Sequence, residues 1–92
     1  MVGKQNHKRW TTVFRALANV NRLKIMEMLG EGRAMHVGQI AEELEISFKA
    51  TSNHLAILKR LDVVDTKGTS GHVFYSLNAN MPEDFRASIK LV

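Results

Sequence analysis

The chain contains no cysteine. That absence excludes disulfide staples, thiolate nucleophiles, cysteine-type zinc centres and thiol redox sensing. No stretch approaches the ~18 apolar residues that a membrane-spanning helix needs. The basic stretch from Met1 to Arg9 has no apolar segment behind it, so it does not read as a secretory signal. There is no glycine-rich phosphate loop, no nucleophile–base pair at recognisable spacing and no carboxylate dyad, so no enzymatic activity and no cofactor are expected. Repeats, low-complexity segments and interdomain linkers are also missing. What remains is 92 residues, 45 % hydrophobic and 24 % charged, the composition of an ordinary globular protein. We expect one small domain spanning 1–92, located in the cytoplasm. Its core is thin enough to favour pairing with a second copy.

Charge is unevenly distributed. Residues 1–24 carry six cations and no acid, whereas residues 25–45 hold Glu27, Glu31, Glu42, Glu43 and Glu45 against Arg33 alone. Residues 46–79 are again basic, and the net charge is +4. Such a balance suits an anionic partner, of which nucleic acid is the commonest.

Trp10, Val13, Phe14 and Leu17 follow helical spacing and predict a first helix over about Lys8 to Ala18. Asn19 is placed to cap a second helix, Val20 to Leu29, which Gly30 would end in a left-handed conformation. A short strand at Ala34–His36 precedes a third helix marked by Val37, Ile40, Ala41 and Leu44. Glu45-Ile46-Ser47 makes a tight turn, and Ser47 caps a fourth helix. That helix has an inner stripe of Thr51, Leu55, Leu58 and Asp62 and an outer stripe of Lys49, Asn53, Ala56 and Arg60. After Asp62 the period becomes two. Two β-rich runs, Val63–Lys67 and His72–Leu77, flank Gly68-Thr69-Ser70-Gly71 as a hairpin. Asn80 and Pro82 open a closing helix of about 12 residues lined by Phe85, Ile89 and Val92.

Two short helices joined by a tight turn and followed by a hairpin describe a winged helix-turn-helix, mainly α, in the order α-α-(β)-α-α-β-β-α. The fourth helix would enter the major groove and the hairpin would lie along the DNA as a wing. From Ser47 to Leu61 there is no Asp or Glu. Lys49 suits guanine acceptors and Asn53 suits adenine, with Ser47, Ala50 and Ser52 beside them. Arg60 lies further along the same face, at phosphate reach at best. Lys67, Thr69 and His72 are the candidate wing contacts. Trp10, Val13, Phe14 and Leu17, facing Phe85 and Ile89, form the candidate dimer seam, although Trp10 fits core packing equally well. The expected function is sequence-specific reading of double-stranded DNA by a homodimer on a near-palindrome. The competing reading is a winged-helix protein-interaction module without specific DNA readout, which the acid-free outer face of residues 49–60 disfavours.

The segment Leu17-Ala18-Asn19-Val20-Asn21-Arg22-Leu23-Lys24-Ile25 resembles the "LADPTRLRI" stretch of ArsR/SmtB-type transcriptional regulators. Ser47 to Leu58 is similar to their "LSQSTVSHHLKVL" reading helix, and Gly71 to Leu77 to their "GRxVYYxL" wing. The resemblance spans about Phe14 to Leu77. It implies a homodimeric DNA-binding repressor with a helical dimer interface, released by an inducer. Metal-sensing members carry a Cys-x-Cys pair where this chain has His36 and Gly38. Other members place ligands on the last helix, but residues 80–92 contain no histidine. With His7, His54 and His72 dispersed elsewhere, no metal response is expected. His54 reads as a hydrogen-bonded structural residue, His36 as a strand end or helix cap, Phe48 as packing, and Met26, Met28 and Met35 as core filler.

Overall fold

The computed structural model describes residues 7–30 and 32–90. Among them the elements run α1 (His7–Leu17), α2 (Val20–Leu29), β1 (Met35–His36), α3 (Val37–Leu44), α4 (Phe48–Arg60), β2 (Val64–Thr69), β3 (His72–Leu77) and α5 (Glu83–Ile89). This is the winged helix-turn-helix order read from the sequence. The sheet exceeds a hairpin, because β1 pairs antiparallel with β3 to give the order β1-β3-β2.

Each helix contributes its apolar stripe to one buried cluster. Val13 and Ala16 come from α1, Ile25, Met26 and Leu29 from α2, Ile40 and Leu44 from α3, Leu55 and Leu58 from α4, and Phe85 from α5. Asn19 caps α2 as expected, its side chain accepting from the N–H groups of Asn21 and Arg22 at 3.0 and 3.1 Å. Gly30 does not become left-handed. It stays at φ −70°, with its N–H closing on the Glu27 carbonyl, and Gly32 takes the positive φ instead. The hairpin turn is also tighter than the glycine pattern suggested. Thr69 pairs with His72, so only Ser70 and Gly71 form the loop, at φ 50° and 80°. Two consecutive positive φ values match the right-handed twist of the flanking strands, which leaves Gly68 inside β2 opposite Val73.

Asn80 does not cap the last helix. The cap position is Pro82, without a side-chain bond, and the Asn80 N–H donates to Asn78 Oδ1 at 2.9 Å. What holds α5 is a tertiary clamp. Arg9 of α1 donates through Nε and Nη2 to the two carboxylate oxygens of Asp84, at 2.7 and 3.1 Å, and its guanidinium lies 5.4 Å above the Phe85 ring centre. This fork geometry is the strong form of an ion pair.

The clamp corrects two of the proposed seam residues. Val13 and Phe85 are both 0 % exposed within their own protomer, because α5 folds back on α1 and the Phe85 ring fills the space between them. They are core residues. Phe14 is 57 % exposed, while Trp10, Leu17 and Ile89 are half-buried at the core's edge. The Trp10 and Phe14 rings meet at 5.3 Å. Val92 and the basic residues before His7 lie outside the described residues.

The hydrogen bonds from Arg9 hold the Asp84 carboxyl below the usual carboxylate range, against the opposing effect of burial. A carboxylate with a lowered folded-state pKa stabilises the fold above its unfolded value, near 4, and loses that contribution as pH falls through the folded value. Asp84→Asn should therefore lower the thermal midpoint at neutral pH, and the gap to wild type should close as acid is added below about pH 4. Thermal melts followed by circular dichroism across pH 2–7 test this.

Candidate nucleic-acid interface

The turn between α3 and α4 sets the geometry of the site. Glu45 closes α3 in the left-handed region (φ 58°, ψ 39°), and the N–H of Ile46 reaches back to the Ala41 carbonyl at 3.3 Å. Ser47 then opens α4, its hydroxyl accepting from the Ala50 N–H at 3.0 Å. The Ser47 carbonyl receives both the Thr51 N–H at 3.0 Å and the Thr51 hydroxyl at 2.9 Å. Thr51 is therefore wholly buried yet satisfied, and it shares the inner face with Leu55 and Leu58.

The opposite face of α4 is the candidate reading surface. Lys49, Asn53, Ala56 and Arg60 are exposed, while Ala50 and Ser52 are half-buried on either flank. Ser47 is exposed, with its hydroxyl engaged in the cap. Phe48, expected to pack, is 63 % exposed at the head of the helix. At the far end Lys59 pairs with Asp65 at 3.6 Å, joining α4 to the root of the hairpin. Arg60 lines a groove of about 300 Å³ with Thr12, Arg15 and Arg22, above a floor of Ala16, Ile57 and Leu61. It sits away from the head of the reading face.

The root of the hairpin is pinned by Val63, whose N–H donates to the Leu58 carbonyl and whose carbonyl accepts from the Asn78 N–H. Val64 is the only buried residue of β2, so the strand beyond it stands clear of the core, with Lys67 and Thr69 exposed. His72 is also exposed, but its ring is engaged. It stacks on His36 with centres 5.0 Å apart and planes 19° apart, and Phe74 meets both rings edge-on. His36 caps α3, its Nδ1 accepting from the Gln39 N–H while the Gln39 side chain accepts from the His36 N–H. A Cβ on residue 38 would come within 3.2 Å of the His36 ring, so Gly38 makes room for the cap. Among the described residues no group of three or more His, Asp or Glu side chains converges as a metal site.

His54 is held as a structural residue. Arg22 donates to the carbonyls of Ala16 and Arg15, at 2.7 and 3.2 Å, and its Nη1 lies 3.2 Å from His54 Nδ1. From the sequence Arg22 reads as a water-contacting residue of the second helix, with no part in the site. A signal was present: a cation in the first turn of α2, where the helix dipole disfavours it and no acid offsets it. The side chain resolves the conflict by turning to the carbonyl end of α1, where the dipole favours it.

A capped helix presented by a short turn, with a wing rooted beside it, is the arrangement of helix-turn-helix regulators. Residues 19–66 match the family model described as bacterial regulatory protein, arsR family. The chain belongs to that family, whose members are transcriptional regulators rather than enzymes. It is 38 % identical to the transcriptional repressor SdpR of Bacillus subtilis over 72 residues, covering 78 % of this chain and 79 % of SdpR. It is 34 % identical to the transcriptional activator HlyU of Vibrio cholerae over 89 residues, covering 97 % and 79 %. A solved structure of HlyU from Vibrio cholerae superposes with a TM-score of 0.79, covering 97 % of this chain and 92 % of that one.

A residue other than glycine at a left-handed position costs about 1–2 kcal/mol. Glycine returns part of this gain as unfolded-state entropy, roughly 0.5–1 kcal/mol. Glu45→Gly should therefore raise the thermal midpoint by a few degrees, as a calorimetric melt beside wild type will show.

Proposed function

We propose that this chain is a cytoplasmic, homodimeric transcriptional regulator that reads double-stranded DNA through α4 and acts as a repressor on a near-palindromic operator. The observation that carries the reading is the outer face of α4. Lys49, Asn53, Ala56 and Arg60 stand exposed in one row without an acid, on a helix whose other face is locked in the core. Lys49 and Asn53 act at base edges, flanked by Ala50 and Ser52, with Ser47 at the helix start. Lys67, Thr69 and His72 follow the backbone from the wing, and Arg60 contributes at phosphate distance. SdpR is by name a repressor and HlyU an activator, so the fold serves both signs of control.

Trp10, Phe14, Leu17 and Ile89 make up the dimer seam in this reading. Trp10 and Phe14 stack on the flank of α1 away from the groove of Thr12 and Arg15, Leu17 follows them at helical spacing, and Ile89 of α5 stands beside Leu23 and Met26. Two-fold pairing there presents two reading helices to half-sites about 34 Å apart. Residues 1–92 then form a single DNA-binding unit whose terminal helices dimerise.

Asn53→Ala should cost roughly 1–3 kcal/mol at one base pair, mostly as lost sequence preference. Lys49→Ala should relax preference at one position if it reads guanine, or lower affinity on every duplex and reduce the salt slope by about one unit if it meets phosphate. Arg60→Ala is the control, with at most a small loss of affinity shared by every duplex and no change in preference. Anisotropy titrations on a duplex selected from a random pool and on an unselected one separate these outcomes. If both Lys49 and Asn53 variants bind every duplex like wild type, α4 does not read DNA and the protein-interaction reading replaces this one. Phe14→Glu should convert a dimer at micromolar concentration into a folded monomer by sedimentation. A wild type that sediments as a monomer removes the dimer.

A further inference from the structure

The apolar stripe of α4 fixes how deeply the helix sits but supplies no directional contact against small rotations. A polar tether at the middle of the helix does. Arg22 of α2 places three nitrogens on three acceptors: Nε on the Ala16 carbonyl, Nη2 on the Arg15 carbonyl and Nη1 on His54 Nδ1. The first two are carbonyls at the end of α1, left without helical partners. The third belongs to α4, one residue beyond Asn53.

We propose that Arg22 and His54 are the positioning pair of the reading helix: a guanidinium that closes the end of α1 orients α4 through an unprotonated imidazole, so that acidification releases the helix and weakens DNA reading. This rests on the DNA-reading role of α4 proposed above.

The chemistry leaves no choice of direction. A guanidinium is always charged and only donates, so His54 Nδ1 must accept, and the ring proton of the neutral imidazole belongs on Nε2. A second proton on Nδ1 would turn the acceptor into a donor facing a cation. Among the described residues no acid acts on the ring to offset that charge. Within one turn of His54, α4 carries Ala50, Thr51, Ile57 and Leu58. From α1 comes Arg15, which lines the adjacent groove with Arg22 and Arg60. The buried side chains of α3 in the shared core are Ile40 and Leu44. The acid of β2, Asp65, is paired with Lys59. Burial, and then the Arg22 charge, hold the imidazole below its usual value near 6.5. The tether is therefore intact at neutral pH and lost as pH falls through that lowered value.

The test compares wild type, His54→Asn and Arg22→Lys, each as the full chain with its fold checked by circular dichroism. Kd is measured by anisotropy on the selected and unselected duplexes from pH 5.0 to 8.0 at fixed salt. In His54→Asn the amide oxygen would occupy the place of Nδ1 and does not titrate, so this variant should match wild type at pH 7.5. The Kd ratio of wild type to this variant should then rise by up to about tenfold per pH unit below the imidazole midpoint. Arg22→Lys keeps the charge but cannot span three acceptors. It should bind the selected duplex several-fold more weakly at pH 7.5, with a smaller loss on the unselected one. Nitrogen-15 spectra of the wild-type imidazole should show the Nε2–H tautomer at pH 7.5, and this readout holds even if a variant fails to fold. Finding the Nδ1–H tautomer, or identical pH profiles for wild type and His54→Asn with Arg22→Lys unimpaired, overturns the pair while leaving DNA reading intact. A wild type that binds no duplex at pH 7.5 overturns the DNA reading and this role with it.

Discussion

Thr51, Leu55 and Leu58 are sealed against the core along one side of α4, and what faces outward is a consequence of that seal. Fully burying each leucine side chain contributes roughly 1.5–3 kcal/mol, a large share of what a small domain can gain. Rolling the helix by one residue, about 100°, would bring polar positions such as Ser52 toward the core. Thr51 is tolerated inside only because its hydroxyl closes on the Ser47 carbonyl, so the cap and the core contact form one local unit.

The wing and the helix-turn-helix are joined by contacts of different kinds. Below, Val63 and Val64 enter the core, and Asp65 holds Lys59. Above, His72 stacks on His36, the cap of α3. The positions that hold a Cys-x-Cys pair in the metal-sensing members this sequence resembles are thus used here for a helix cap and the space it needs. The charge pattern is consistent with this economy. The acids of α3 stay off the reading face, and one of them, Glu43, pairs with Arg33 at 3.2 Å. Meanwhile α1 divides into an apolar flank at Trp10, Phe14 and Leu17 and a polar one at Thr12 and Arg15.

Much of the fold was legible because it depends on local periodicity. The stripe of Thr51, Leu55 and Leu58 and the Asn19 and Ser47 caps act within a few residues, where spacing and side-chain chemistry suffice. The split between exposed Lys49 and Asn53 and buried Leu55 follows from the same period. Errors arose where one local signal had two conformational outcomes. Gly30 permits a left-handed end but does not require one, and Asn80 can cap a helix or bond within a turn. The third strand escaped full description because a two-residue β1 is defined by its pairing with β3.

By itself the sequence determined the element order, the winged helix-turn-helix class and the acid-free outer face of the reading helix, since each is set by residue spacing along a single element. Only the tertiary structure decided that Val13 and Phe85 belong to the core and not to a seam. Helical spacing shows that a face is apolar but not which surface covers it, and the Arg9–Asp84 clamp brings α5 back onto α1 across the length of the chain. The same holds for Arg22 and His54, and for His36 and His72. Each pair is distant in sequence, and its meaning is a distance and an orientation that exist only once the helices and the wing have packed.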